Sequence, residues 1–389
     1  MSLKRSFHFF ILIFFQFSCG SSLKKEKNAF SSHLVKEEEV SLPIKHSIDH
    51  LGYNRIRPYF DKENRKDYVT IWTLATDTLK FFDVQAKKEV MSLSFKGLFK
   101  NDPGIGDYYI HSRDSIFVLS RNTNEIALCN FAGEPLKTWR VTQPMHSGNT
   151  NYILYSVSEL KYLNNKIYTA QINTGLGAYN KEFNKSWFSE NSGAILELNP
   201  NEVKINNKIG SFPKALNENS RNCQLPSTAL NNNEEFIFSF QPFSELDVYA
   251  GTGENRQVKV ESIYFKEMPL FAEDSLTNGN YIERYSVEAG GYLYLYYDRF
   301  RDLYYRVYLH GMPYENADGT VNTIDDVNWS LMIIDKDFKL IGEQLFKGTE
   351  YNFRNLLITK EGILIRKNLK KPVNGSYFIG NIFKVENDA

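Results

Sequence analysis

The chain has 389 residues, with 46 Lys and Arg against 46 Asp and Glu, so its net charge is zero, which removes the bulk electrostatic argument for a nucleic-acid partner, and none is expected. Aromatic residues make up 15 %, from 29 Phe and 24 Tyr, a composition suited to pleated, half-buried surfaces. No long stretch repeats its apolar residues every 3.6 positions, which excludes a mainly helical fold.

Residues 1–18 read as a secretory signal: Lys4 and Arg5 are followed by an apolar run from Phe7 to Phe17, too short to span a bilayer comfortably. Ser18, Cys19 and Gly20 end it in a pattern that resembles a bacterial lipobox, although Gln16 and Phe17 stand where aliphatic and small residues are usual. Cys19 is therefore the expected lipid attachment site, and its acyl chains would hold the protein on a membrane. The alternative is an ordinary secreted protein cut near Ser18. Residues 19–45 are polar and charged and read as a flexible tether. Lys24, Lys25 and Lys27 lie close to the anchor with only Glu26 between them. The expected location is the bacterial cell envelope, lipid-anchored to the outer membrane and facing the periplasm by default, with surface display the other option.

Residues 46–389 carry six short apolar or aromatic runs with strand character: VTIWTL from Val69, SIFVLS from Ser115, KIYTAQI from Lys166, EFIFSF from Glu235, YLYLYYD from Tyr292 and GILIRKN from Gly362. Turn signals precede them and supply Gly or Asn where positive φ is needed. After four of them comes a second hairpin of common form: LKFFDVQAKKEVMSLSF, IALCNFAGEPLKTWRV, AILELNPNEVKINNKI and LMIIDKDFKLIGEQLF. Asp83, Asn130, Asn199 and Asp335 occupy corresponding places, where a short polar side chain can bond to backbone two residues on. Units of this size cannot bury both faces alone, and stacking them round an axis buries them. The expected fold is all-β, a six-bladed β-propeller of antiparallel four-stranded blades. Its closure is expected to pair the strand around Tyr53–Tyr59 with the last unit. A pair of β-sandwiches is the rival.

Motifs for chemistry are sparse. GIGDYY at Gly104 and GTGENR at Gly251 lack the third glycine of a dinucleotide fingerprint and read as turns. His46 and His50 share helical spacing without an obvious third ligand, and His111, His146 and His310 are scattered singles, so no metal and no cofactor are expected. YENADGTVNTIDDV has Tyr314 where a calcium loop needs an acid and reads as a long hairpin loop. Cys129 and Cys223 could pair in an oxidising compartment or stand as two small buried hydrophobes. The densest constellation is YLYLYYDRFRDLYYRVYLHG, Tyr292 to Gly311. There Arg299, Arg301, Tyr305 and Arg306 are the candidate ligand-binding residues, offering forked donors and aromatic walls to a carboxylate, a phosphate or a sugar. Alternation sends Tyr305 and Val307 one way and Tyr304, Arg306 and Tyr308 the other. The competing view is a tyrosine-rich hairpin whose arginines pair with Asp298 and Asp302.

Three stretches carry a resemblance: the lipobox-like start, YDRFRDLYYRVYLHG (Tyr297–Gly311) and NFRNLLITKEGILIRKN (Asn352–Asn368). On these the chain resembles lipoproteins of Bacteroidota assigned to domain of unknown function 4221, a group related to six-bladed propeller proteins. The resemblance covers most of the mature chain. It implies an envelope location and a propeller-like fold, and no catalytic residue. The expected function is binding of a ligand or an envelope protein or glycan partner at one face or along the axis of a monomeric, membrane-anchored propeller. The alternative is an envelope hydrolase or lyase acting on glycans or peptides, and a scaffold component of an outer-membrane complex is a third reading.

Overall fold

The computed structural model describes residues 30–44, 54–73, 76–100, 104–120, 123, 125–140, 160–169, 194–198, 203–207, 209–211, 213, 226–250, 254–269, 279–369, 371, 373 and 378–388. Their strands assemble into six four-stranded antiparallel sheets arranged as a β-propeller. Strand β1 (Ser32–Leu42) comes first in the chain and is set aside by the fold until the end. The first sheet is β2 (Asn54–Asp61), β3 (Lys66–Thr73), β4 (Thr78–Asp83) and β5 (Lys88–Ser94). The second is β6 (Ile105–Ser112), β7 (Ser115–Ser120), β8 (Glu125–Cys129) and β9 (Pro135–Arg140). The third, described only along its strands, is β10 (Lys161–Leu163), β11 (Lys166–Thr169), β12 (Ala194–Leu198) and β13 (Val203–Asn207). The fourth is β14 (Ser227–Leu230), β15 (Phe236–Ser239), β16 (Glu245–Tyr249) and β17 (Asn255–Lys259). Helix α1 (Gly279–Glu288) leads into the fifth, β18 (Gly291–Asp298), β19 (Leu303–Leu309), β20 (Trp329–Ile334) and β21 (Leu340–Phe346). The sixth is β22 (Tyr351–Ile358), β23 (Ile363–Lys367) and β24 (Phe378–Asn387), completed by β1.

Each sheet's first strand lies innermost. Inner strand β2 touches β6 and β22, β6 touches β10, and β18 touches β14 and β22. The gaps between neighbouring sheets are filled with apolar side chains. Tyr305, Val307, Leu331 and Ile333 of the fifth sheet meet Leu356, Ile363, Ile365 and Phe383 of the sixth. Val69, Ile71 and Phe82 of the first meet Leu364, Phe378 and Ile382 of the sixth. Burial between sheets, with no layer of helices among the described residues, is why the strands alternate in facing one neighbour and then the other.

Antiparallel order puts the first and third turns of every sheet on one side of the ring, the turn face. The second turns and the crossings between sheets lie on the other, the loop face, together with α1 and the long connection from β19 to β20. Turn-face corners are held by side chains. The Oδ1 atoms of Asp61, Asn231 and Asp298 at first turns accept backbone N–H groups two to four residues ahead, as do those of Asp83, Asn130 and Asp335 at third turns. Asn199 lies outside the described residues. Positive φ at these corners falls mostly on ordinary residues, including Arg65, Lys87, Glu234, Asp302 and Phe338. The side-chain cap, rather than glycine, holds the backbone there.

Two expectations about the ends of the domain are corrected. The stretch taken as tether contains β1, whose partner is β24, from Ser32 opposite Asn387 to Leu42 opposite Phe378. The strand around Tyr59 is β2, the inner strand of the first sheet; it pairs with β3 and meets the last sheet only by packing. The charged run Lys36–Glu39 disguised β1. Its outer side is solvated, while Leu34, Val40, Leu42 and Ile44 are buried. The glutamates are paired: Glu37 with Lys384 at 3.6 Å, Glu38 with Lys87 at 2.6 Å, and Glu39 with Lys367. Gly342 in β21 lets the start of β1 pass, since a Cβ there would collide with the Ser32 carbonyl. Of the six runs read as corresponding strands, five are second strands (β3, β7, β11, β15, β23), whereas YLYLYYD is the inner strand β18.

Leu42→Ala should cost about 2–5 kcal/mol in urea denaturation, as for a buried core leucine; a tether residue would lose nothing. The Lys367 ammonium, by hydrogen bond and by charge, holds the Glu39 carboxyl below its ordinary value of 4.5. Its contribution is therefore present above pH 4.5 and is lost as the pH falls through the depressed folded value. Glu39→Gln should be less stable than wild type at pH 7, and the two denaturation midpoints should converge in acid.

Candidate functional site

The hairpin β18–β19 distributes its cations to three different places. On β19, Tyr305 and Val307 face the sixth sheet and Tyr304, Arg306 and Tyr308 face the fourth, as alternation requires. Arg306 is wholly buried. Its Nε donates to Ser239 Oγ at 2.9 Å, its Nη1 to the carbonyls of Ser244 (2.8 Å) and Val260 (3.1 Å), and its Nη2 to the Phe243 carbonyl at 2.7 Å. The guanidinium lies 3.6 Å from the Tyr292 ring centre. Burial pulls it down to about 10, so it stays charged at neutral pH. Arg306 is thus a clamp between the fourth and fifth sheets, and the expectation that it faces a ligand is corrected: its donors are engaged by buried oxygens. Tyr305 is equally buried and donates to Asp298 Oδ2 at 3.1 Å, with burial raising its hydroxyl pKa.

Arg301 sits at the turn face. Its Nη1 pairs with Asp298 Oδ2 at 2.7 Å and reaches the Thr359 carbonyl at 3.2 Å, and its Nη2 donates to the Lys360 carbonyl at 2.7 Å. It locks the first turn of the fifth sheet to that of the sixth. The same kind of link recurs round the ring. Lys360 N donates to both oxygens of Asp67 in the first sheet, at 3.2 and 3.1 Å. Asp61 accepts Arg113 Nη2 of the second sheet at 2.7 Å. Asn164 of the third donates to Glu234 of the fourth at 2.8 Å, and Asn231 donates to the Tyr304 hydroxyl of the fifth at 2.8 Å.

Arg299 alone of the four candidates is exposed. It extends over two rings, 5.1 Å from the centre of Phe300 and 5.8 Å from that of Phe60, and the two rings meet edge to face at 5.2 Å. Phe60 belongs to the first sheet and Phe300 to the fifth. Those sheets are not neighbours, so their rings touch inside the end of the sixth sheet, beside the axis on the turn face. Among the described residues no acceptor takes a hydrogen bond from Arg299. Its positive charge is felt by Asp67: burial, reinforced by Glu361, raises that carboxyl, while the Lys360 N–H and Arg299 oppose the rise. The result is an aromatic-backed cation with its donors open, next to a carboxylate already engaged. The structure therefore brings Arg301 and Tyr305 together on Asp298 Oδ2, sends Arg306 into a different gap and leaves Arg299 at a surface.

Phe60, Asp67 and Lys360 escaped the sequence reading. A signal existed: Phe60–Asp61 before its turn repeats the aromatic–Asp pair Tyr297–Asp298 before RFRD, so aligning the first turns would have brought Phe60 beside the arginine hairpin. Other motifs resolve plainly. GIGDYY is the start of β6, a strand instead of a turn. The Tyr314–Val327 stretch is a hairpin loop in which Asp318 caps Thr320 and Asn316 bonds to Thr320 and Asn322. His310 packs against Tyr264 and Tyr308, and burial, aided by Lys266, lowers it to about 4. Cys129 is a buried free thiol, pushed up to about 12 by burial; Cys223, His46, His50 and His146 lie outside the described residues. Among the described residues no group of three His, Cys, Asp or Glu side chains could hold a metal.

Residues 54–345, from β2 into β21, match the family described as Domain of unknown function (DUF4221). The chain belongs to the DUF4221 family. A DUF4221 crystal structure from Bacteroides vulgatus shares its fold at 20 % identity, with a TM-score of 0.71 over 92 % of this chain and 100 % of that one. A Bacteroides fragilis protein is more distant, at 9 % identity and a TM-score of 0.49 over 92 % and 96 % of the two chains. No curated protein matches the sequence. In this DUF4221 chain the family match stops short of the sixth sheet, so the closing strands β22–β24 and β1 are assigned by the structure alone.

Arg306→Met should remove four hydrogen bonds, from Ser239 Oγ and the Phe243, Ser244 and Val260 carbonyls, of which the Ser244 carbonyl keeps the Val260 N–H. Removing one side of a buried charged network costs about 3–5 kcal/mol, and the expected readout is a lowered melting temperature. A ligand-contact role would instead leave stability unchanged.

Proposed function

We propose that the protein is a lipid-anchored envelope protein whose propeller recognises a ligand or partner carrying an anionic group, at the axial end of the turn face. The observation that carries this reading is Arg299: its neighbours Arg301 and Arg306 spend their donors on the protein, whereas Arg299 is exposed, stacked on Phe60 and Phe300, and unbonded among the described residues. An arginine prepositioned on aromatic faces loses little freedom when a carboxylate or phosphate meets its fork, or when a flat group slides over it. The hydrolase or lyase alternative gains no support here. Among the described residues Asp61, Asp67, Asp83 and Asp298 are the buried carboxylates of this face, and each is committed to a turn, an ion pair or an inter-sheet bond.

Anchoring through Cys19 follows from the basic start, apolar run and Ser18–Cys19–Gly20 junction. Calorimetric titration with inorganic phosphate, acetate, benzoate and glucuronate on the soluble Cys19→Ala chain tests the site. A probe that binds should lose at least about tenfold in affinity in Arg299→Ala, matching the 1.5–3 kcal/mol of a charge-assisted hydrogen bond, with unchanged melting temperature. Equal affinity in the variant, or no binding by any probe, counts against this site. Cys19→Ala should also move the protein from the membrane fraction to the soluble one.

A further inference from the structure

The polarity of β1 says which side of the ring an N-terminal anchor would hold nearest the lipid. In the sixth sheet β22 runs from the loop face to the turn face, β23 returns, and β24 runs towards the turn face again. Strand β1 is antiparallel to β24, so it starts at the turn face with Ser32 and ends at the loop face with Leu42. That starting end is pinned. Ser32 Oγ donates to Asn387 Oδ1 at 2.8 Å, Asp388 N donates to the Ser31 carbonyl at 2.8 Å, and His33 Nδ1 lies 2.8 Å from Asp388 Oδ1. The chain upstream therefore leaves the ring from the turn face.

Residues 20–31 are all that separate Cys19 from β1. A chain of that length reaches about 40 Å fully extended and averages about 20 Å end to end in the absence of fixed structure. The ring is about 27 Å thick, judged from an eight-residue inner strand at about 3.4 Å per residue. Turning the loop face to the membrane would require the linker to climb the whole flank of the sixth sheet, beyond its average span. Turning the turn face to the membrane requires nothing.

We propose that the turn face is the membrane-proximal surface of the anchored ring, and that the loop face, with α1 and the β19–β20 loop, points away from the bilayer. The partner of the turn face is thus a lipid surface held within tether distance, and Arg299 opens towards the headgroup layer. This rests on the Cys19 anchor proposed above. The turn face mixes cations such as Lys62, Lys87, Lys336 and Lys360 with Glu63, Asp114, Asp337 and Glu361, so the tether, and not a single-sign field, sets the orientation.

The test uses the full, acylated chain in vesicles containing an acceptor-labelled lipid, in a Cys223→Ser background; the buried Cys129 thiol does not compete for label. A donor is attached through Lys62→Cys on the turn face or Ala317→Cys on the loop face. Energy transfer should be at least about twofold greater from position 62, given the ring thickness of about 27 Å. Equal transfer, or greater transfer from position 317, overturns the orientation. Inserting roughly twenty Gly and Ser residues after Ser22 should equalise the two positions, because the coil then spans the ring; a difference that survives the insertion overturns the tether as its cause. Cys19→Ala should abolish transfer from both positions. Transfer that persists without Cys19 instead removes the anchor reading, and so separates that failure from failure of the orientation.

Discussion

The pairing of Ser32–Leu42 with Phe378–Asn387 is the constraint on which the rest of the ring depends. Each four-stranded sheet exposes two apolar faces, and each face is covered only if the neighbour is in place. Six sheets in a line would leave the outer faces of the first and the last in water. Closing the line covers both, as the cluster joining Val69, Ile71 and Phe82 to Leu364, Phe378 and Ile382 shows. The sixth sheet lacks a fourth strand of its own and takes it from the start of the chain. Closure is thus a backbone ladder as well as a packing contact, and it cannot form until both ends of the chain are present. Such a long-range pairing is a slow element of folding, because loop-closure entropy must be met before the contact gives anything back.

Polar groups buried between sheets fix how the sheets meet, and tyrosine is the side chain most used for it. Tyr292 and Tyr308 bury their rings in the gap between the fourth and fifth sheets while their hydroxyls accept the Ser262 and Lys266 N–H groups. Between the first and second, the Tyr108 hydroxyl is instead hydrogen-bonded to the Thr70 hydroxyl at 2.9 Å. A phenylalanine would bury comparable area and leave those amides without acceptors. The buried cations work alike. Arg57 pairs with Asp107 at 2.6 Å, and Asp107 accepts the Leu160 N–H leading into the third sheet, so one ion pair ties three inner strands. The high Tyr content, ambiguous as a sign of function, is largely explained by this architecture.

How much of this was legible depended on the position of a strand in its sheet. Second and third strands are covered on both sides and read as short apolar runs; β7 and β20 are examples, buried along almost their full length. Fourth strands expose most of their residues, as β5, β9 and β17 do, so KEVMSLS or NRQVK carries little signal alone. Strand β1 is the extreme case, with four exposed charges in its middle, and by composition reads as a tether. Inner strands suffer from bulges: β6, β18 and β22 all slip register against their partners, which breaks the two-residue alternation. The arginine hairpin was found because its composition is unusual. Which of its arginines faces solvent depends on where the neighbouring sheets stand, and single-strand periodicity does not contain that.

Arg299 and Arg306 show the difference most sharply, because they lie seven residues apart in one hairpin. Arg306 projects from the middle of β19 into a gap where the fourth sheet presents carbonyls at the bend Phe240–Glu245, and satisfying those oxygens requires a donor with several directed N–H groups. Desolvation of its charge is offset by four hydrogen bonds and the Tyr292 face, and lysine could not reproduce that fork. Arg299 projects from a turn, where the chain leaves the sheet and, among the described residues, no neighbour supplies oxygens. Among the described residues it is held by the rings beneath it. A structural arginine is recognised by acceptors that would be orphaned without it. Arg299 has none among the described residues, and that asymmetry, more than its charge, is the physical ground on which recognition is proposed at the axial end of the turn face.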